Sequence, residues 1–175
     1  MGIIAKAGAT FTPCPDGTHP VVCCDVIDLG LVESNFGGKV KTQHKVRIVW
    51  QTGEKRDDGK FFTVSQRYTL SLHEKASLRK DLEAWRGRPF TEDELHGFDV
   101  EAVIGIPCLL SVIHTAKSGS VYANVNALMR LPKGMQAPAI DPGYVRDKDR
   151  PKDGTTPAAP DDGGEWSASD QDVPF

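Results

Sequence analysis

The most regular pattern in the chain lies in residues 40–51, VKTQHKVRIVWQ, where apolar and polar side chains alternate. From Val46 to Trp50 every second residue is apolar. The cations of this stretch have the opposite parity and are Lys41, Lys45 and Arg47. Because successive side chains of a β-strand point to opposite faces, the stretch is predicted to form a strand with one buried face and one basic face.

Four other apolar runs predict further strands, at residues 20–31, 61–72, 107–115 and 121–131. The first is expected to be twisted or bulged near Gly30, since a glycine inside a strand often marks such an irregularity. The pair Asp58-Gly59 is typical of a hairpin turn between the second and third strands. In the third strand, Phe61 and Arg67 have the parity that faces away from the apolar set.

The spacing of apolar residues changes between the third and fourth strands. Three of them recur at helical spacing and predict an amphipathic helix over residues 74–87 that ends at Gly87. These three are Leu78, Leu82 and Trp85. A capping-box pattern predicts a short helix at 91–94, and a further helical turn is expected over 98–105.

Three strands, a helical insert and two strands therefore follow one another along the chain. This order predicts a mainly β fold, a five-stranded OB-fold-like barrel with the helical insert between strands three and four. The alternative architecture is an open α+β sheet with the helix packed on one face. The two architectures differ in whether the barrel closes.

The composition changes near Leu131, after which Pro, Gly and Asp predominate. Such a segment buries too little apolar area to offset its ordering entropy. We therefore expect a folded domain over residues 1–134 and a disordered, acidic tail over residues 135–175. No apolar run approaches the ~18–20 residues that span a bilayer, and the first residues lack a signal-peptide pattern, so a cytoplasmic location is expected.

The net charge of −3 conceals an uneven distribution. Residues 39–88 hold 13 Lys or Arg against 6 Asp or Glu, a local charge of +7. Residues 153–175 hold 6 acidic residues and no Lys or Arg, a local charge of −6. A basic middle and an acidic end each need a separate explanation.

The sequence contains no motif that indicates catalysis. A phosphate-binding GxxxxGK[ST] loop, an HExxH helix and a GxSxG elbow are all absent. The five histidines are scattered, and the four cysteines have no CxxC spacing and are expected to be buried as small apolar residues. We therefore expect a protein that is not an enzyme and holds no metal or cofactor.

Cations that alternate with aromatic rings on one strand face are typical of single-stranded nucleic-acid binding. The candidate phosphate contacts are Lys41, Lys45, Arg47, Lys60 and Arg67. The candidate base-stacking rings are Trp50, Phe61, Tyr68 and Tyr122. Trp50 and Tyr68 share the parity of the apolar face, so a place in the core is the alternative for both. A solvated sheet face is the alternative for the cations.

The last residues, QDVPF, resemble the C-terminal tip of bacterial and phage single-stranded DNA-binding proteins. That tip typically has a run of Asp, a small apolar residue, Pro and Phe. The matching positions are Asp170, Asp172, Val173, Pro174 and Phe175, and Gln171 interrupts the acidic run. Residues 61–90 and 105–134 also resemble phage- and prophage-encoded proteins that are assigned as single-strand binders.

This resemblance implies an OB-fold protein that coats single-stranded DNA with little sequence preference. It implies a role in phage-type DNA replication, recombination and repair in a bacterial cell, at the nucleoid or replication sites. Phe175 would fill an apolar pocket of a replication or recombination protein, and the acidic residues would meet basic residues around it. No membrane is implied, and a homo-oligomer is compatible with the resemblance.

Three other functions remain as alternatives at the level of sequence. A strand-annealing recombination factor would also bind single strands but would speed the pairing of complementary ones. A protein-interaction adaptor would use a domain of this shape without binding DNA. A nuclease would degrade the DNA in a metal-dependent manner.

Overall fold

The structure is a computed structural model that describes residues 12–151 of the 175-residue chain. The strands are β1 (Gly17–Phe36), β2 (Lys39–Lys55), β3 (Phe61–Thr69), β4 (Pro107–Lys117) and β5 (Ser120–Met129). The helices are α1 (Ser77–Arg86) and α2 (Glu92–His96), with 3₁₀ turns at Val100–Val103 and Asp147–Asp149. No helix in this part of the chain is both long and apolar enough to cross a membrane.

The five strands form one antiparallel sheet in the order β3-β2-β1-β4-β5. The mainly β class, the five strands and the helical insert between β3 and β4 are thus confirmed. The sheet is not closed into a barrel, because no backbone ladder joins β3 to β5 in the described residues. The edge strands β3 and β5 nevertheless lie in contact with each other, and helix α1 contacts both of them.

The core lies between the inner face of the sheet and α1. Trp50 of β2 is fully buried and packs against Trp85 of α1, with 5.9 Å between the ring centroids. Leu78 and Leu82 are each 1 % exposed, so the apolar stripe predicted for the helix is confirmed. Burial of large apolar side chains is the main favourable term in folding, and it fixes which face of β2 points outward.

The ends of both helices follow the predicted signals. Gly87 ends α1 in the left-handed conformation, at φ 72°, and its N–H donates to the Glu83 carbonyl. The capping box of α2 is present, since the Thr91 hydroxyl accepts from the Glu94 N–H and the Glu94 carboxylate accepts from the Thr91 N–H. The same carboxylate accepts from Arg86 at 2.6 Å, which links the two helices.

The first two strands are longer than the sequence predicts. They pair from Val21 opposite Thr52 to the turn at Gly37 and Gly38, and they form a hairpin arm that is exposed over residues 31–35 and 37–42. Both glycines have positive φ, which suits a two-residue hairpin turn and shortens the expected loop. The predicted irregularity near Gly30 is confirmed by a register shift at that point.

Residues 138–151, which we call the strap, cross the outer face of β1 and β2. Gln51 is 1 % exposed beneath the strap. Its side chain donates to the Ala139 carbonyl and accepts from the Asp141 N–H, at 2.9 Å each. Polar pairing thus holds a segment whose composition predicts disorder. The boundary between 134 and 135 stays a prediction, as does the disorder expected in residues 152–175, which lie outside the described residues.

Candidate nucleic-acid interface

The outer face of β2 and β3 carries the predicted cations. Arg47 stands directly opposite Arg67 in the ladder between the two strands. Lys45 stands opposite Thr69, and its Nζ donates to the Thr69 hydroxyl at 2.7 Å. These side chains point away from buried Trp50, so the predicted alternation of the strand is confirmed. The pairing gathers positive charge at the centre of β2 and β3, where Arg67 is exposed and Lys45 and Arg47 are half-buried.

Lys41 extends this row along the hairpin arm. It is exposed and stands opposite Ser34 of β1. Lys45 lies four positions further along the strand, a distance of about 13 Å. Lys41 therefore lies beyond the other cations, on the part of the hairpin that leaves the body of the protein.

The turn between β2 and β3 adds an aromatic ring with cations beside it. Phe61 is half-buried, and the Lys55 Nζ lies 5.2 Å from its ring centroid. Arg56 forms an ion pair with Asp58 at 3.2 Å, which offsets part of the charge of the turn. Lys60 is exposed at the end of the turn.

Two adjoining cavities bring four of the predicted residues into one region. A cleft of about 540 Å³ between the turn and the strap is lined by Lys60 and Phe61. A second cavity, of about 240 Å³, is lined by Arg47 and Tyr122. Four residues line both spaces, namely Arg56, Thr63, Tyr144 and Arg150. The region is therefore continuous from the centre of the sheet to the turn.

Two predicted stacking residues do not belong to this surface. Trp50 is fully buried, and Tyr68 is 1 % exposed. The Tyr68 hydroxyl donates to Asp81 at 2.6 Å, and burial raises the pKa of Tyr68 well above its usual value. A base stacks only on an accessible ring face, so the prediction of stacking on these two rings is corrected: both belong to the core.

Sequence reasoning missed the residues that the strap supplies. Tyr144 and Arg150 line the cleft, yet both fall in the segment assigned to a disordered tail. A signal for them exists in the sequence, because the cations of the tail are concentrated just after Tyr144. They are Arg146, Lys148, Arg150 and Lys152, and residues 153–175 contain no others.

A buried carboxylate anchors the strap. Asp25 of β1 is 1 % exposed. It accepts hydrogen bonds from the Tyr144 hydroxyl at 3.2 Å, from Arg146 Nε at 3.2 Å and from the Asp147 N–H at 2.8 Å. Arg146 also donates to Glu101 at 2.6 Å and thereby lowers the pKa of that carboxyl. The strap is therefore tied to the sheet by charge-assisted bonds.

The cysteines offer no reactive group at this surface. All four lie among the described residues and are buried, as predicted. Burial raises the pKa of Cys24, beneath Tyr144, to about 12 and that of Cys14 to about 11, so both stay protonated thiols. Within residues 12–151, no group of three or more His, Cys, Asp or Glu is placed to hold a metal ion.

Comparison of the chain with protein-family models gives no match, and comparison with curated proteins gives none either. The function must therefore be argued from the surface itself. The predicted tip residues lie outside the described part of the chain and contribute no geometry to that argument. They are Asp170, Asp172, Val173, Pro174 and Phe175.

Proposed function

We propose that the chain is a single-stranded DNA-binding protein and that the outer face of β2 and β3 binds the strand. The observation that carries this proposal is the directly opposed pair Arg47 and Arg67, with Lys45 beside it and Phe61 at the edge. A strip of one charge sign suits a polyanion, and an accessible ring suits an unpaired base. The protein would coat exposed strands without a cofactor and without catalysis.

Single strands fit this surface better than duplex DNA. Aromatic stacking needs bases that are free of pairing. The cleft beside Phe61 has a volume of about 540 Å³, the size of a small-ligand site, whereas a duplex is read by an element that enters one of its grooves. Stacking and phosphate contacts carry little sequence information, so weak sequence preference follows.

The strand order supports an OB-like arrangement as part of the same proposal. OB-folds are partly open five-stranded barrels that bind oligonucleotides on strands two and three. In this chain α1 contacts both edge strands of the open sheet. Because fold alone does not define function, the cations of β2 and β3 carry more weight than the strand order.

The acidic DVPF sequence adds a recruiting role to the proposal. Its support is the resemblance to the tips of single-stranded DNA-binding proteins. By that resemblance it would dock on replication or recombination proteins of a phage-infected bacterial cell, with Phe175 in an apolar pocket.

Fluorescence anisotropy of a labelled oligo-dT strand tests the proposal, with a duplex of equal length beside it. We expect tight, salt-sensitive binding to the single strand and weak binding to the duplex. If neither DNA binds at about 50 mM salt, even after deletion of residues 153–175, the proposal fails and the adaptor alternative takes its place.

Substitutions locate the surface. The double variant Arg47→Gln/Arg67→Gln should bind more weakly, and the slope of log K against log salt should fall by about 1.4, since each phosphate contact on a single strand contributes about 0.7. The double variant Lys75→Gln/Lys80→Gln removes the same two charges from exposed sites just before and within α1 and serves as the matched control. Equal salt slopes for the double variant and the control would contradict the placement on β2 and β3.

A further inference from the structure

We infer that the strap contributes binding residues to the DNA site. Together with the β2–β3 turn it forms a cleft that takes one nucleotide unit, with the base on an aromatic ring and the phosphate on the surrounding cations. The inference rests on the proposed function and extends it to a segment that composition would assign to a tail.

The lining of the cleft matches the chemistry of a nucleotide. Its cations come from both sides, Arg56 and Lys60 from the turn and Arg150 from the strap, with Asp141 as the one acidic residue of the lining. Phe61 faces it from the sheet. The volume of about 540 Å³ lies within the roughly 300–1,000 Å³ of typical small-ligand sites. An anionic group with a flat aromatic body is the ligand that this lining fits.

Each ring of the cleft already has a cation against it. The Arg150 guanidinium lies 5.6 Å from the Tyr144 ring centroid, and the Lys55 ammonium lies 5.2 Å from that of Phe61. Stacking and cation–π contact are the two interactions that hold single-stranded bases on proteins. A base on either ring would bring its own phosphate close to one of these cations.

The strap is held firmly enough to present these groups in a fixed place. The buried Asp25 carboxylate accepts three hydrogen bonds from it, and the buried Gln51 amide makes two more. Binding groups on a fixed support lose less entropy when the ligand arrives. The anchor lies beneath Tyr144, so the aromatic ring is positioned directly by the contact that fixes the strap.

A matched pair of substitutions separates binding from anchoring. Tyr144→Leu and Tyr144→Phe both remove the hydroxyl that donates to Asp25, but only Tyr144→Leu removes the ring. Because stacking of one base is worth about 1–3 kcal/mol, Tyr144→Leu should weaken oligo-dT binding about 5- to 150-fold relative to Tyr144→Phe. Thermal unfolding of both variants checks that the strap is equally perturbed in each.

A charge variant gives an independent readout. Arg150→Gln should lower the salt slope of oligo-dT binding by about 0.7, the value of one phosphate contact on a single strand. Lys133→Gln removes an equal charge from an exposed residue that does not line the cleft and should leave the slope unchanged.

The outcomes distinguish this inference from the proposed function. If the unaltered protein binds no single strand, both fail. If it binds and Arg47→Gln/Arg67→Gln weakens it, while Tyr144→Leu binds like Tyr144→Phe and Arg150→Gln binds like Lys133→Gln, the strap only covers the sheet and the inference is overturned. Loss of affinity in Tyr144→Leu together with a reduced slope in Arg150→Gln supports it.

Discussion

Asp25→Asn is the substitution that most directly tests how the strap is held. Asparagine keeps the shape of the side chain and one acceptor oxygen, but it removes the charge that faces Arg146. The Asp147 N–H and the Tyr144 hydroxyl both donate to Oδ2 and can keep donating to an asparagine oxygen in that place, whereas the new amide NH2 would face Arg146. The bond from Arg146 Nε is the contact that has no substitute.

The expected loss of stability follows from these contacts. Hydrogen bonds to charged groups contribute about 1.5–3 kcal/mol each, and breaking a buried ion pair typically costs about 3–5 kcal/mol. Arg146 is not stranded, because its side chain is 23 % exposed and keeps Glu101 as a partner. We therefore expect the free energy of unfolding to fall by about 2–3 kcal/mol, near the lower end of these ranges, which is equivalent to a fall in Tm of about 5–10 °C.

Urea unfolding followed by tryptophan fluorescence measures this loss, since Trp50 and Trp85 report on the core. Hydrogen exchange of the Asp141 and Asp147 amides reports on the strap itself, because both donate to the sheet. Asp149→Asn makes the same chemical change on an exposed residue of the strap and should stay within about 0.5 kcal/mol of the unaltered protein.

One result would refute the reasoning about the anchor. If Asp25→Asn and Asp149→Asn unfold at the same urea concentration, and the two strap amides exchange at unaltered rates, then the three hydrogen bonds to Asp25 do not hold the strap. A lower midpoint with unaltered amide exchange would instead place the role of Asp25 in β1 alone.

Three further predictions concern other parts of the molecule. The hydrogen bond from Arg86 lowers the pKa of Glu94 from 4.5 to about 2, so this pair stabilises the fold above about pH 4.5 and the stabilisation is lost as the pH falls towards 2. In Glu94→Gln, the urea midpoint should therefore depend less on pH between about 4.5 and 2. An unaltered pH dependence would contradict this. Gly87→Ala should cost about 1 kcal/mol in urea unfolding, since φ is 72° and a Cβ would lie 3.1 Å from Arg130; unchanged stability would show that the turn adjusts. On the proposed function, deleting residues 153–175 should tighten oligo-dT binding at low salt, because their charge of −6 would compete with DNA. Equal affinity at low ionic strength would refute the competition.

Apolar periodicity in the sequence predicts the buried strands and helix of this fold, because the residues that pack in the core must lie on one face of their element. Val46 and Trp50 must share a face to reach the core, so β2 is visible in the sequence, and Leu82 reveals α1 for the same reason. The exposed arm has no such constraint: Leu31 is 73 % and Val40 64 % exposed. The sequence therefore predicts β1 and β2 too short at the arm, because backbone pairing alone extends them there.

The candidate site shows the same division. Parity alone places Arg47 and Trp50 on opposite faces of the strand. It does not reveal whether a ring on the apolar face reaches solvent, so only the structure shows that Tyr68 is buried. The strap is held by polar pairing between residues far apart in sequence, such as Asp25 with Arg146. Composition treats Asp and Arg as solvated groups and so predicts disorder, whereas the fold brings them together and satisfies both.

The position of the cleft connects the basic and acidic parts of the chain. Pro151 lines the cleft, and the segment of residues 153–175, with its charge of −6, begins two positions further along the chain. An acidic segment tethered to the domain would have an effective concentration of about millimolar at the cleft. Even weak attraction to Arg56, Lys60 and Arg150 would then let it compete with DNA at low salt. At physiological salt the Debye length is about 8 Å, and this attraction is screened. Under the proposed function, DNA in the cleft would displace the acidic segment and would leave it available to a partner protein. Since linkage is reciprocal, a partner that captures the acidic segment would strengthen DNA binding by the same factor.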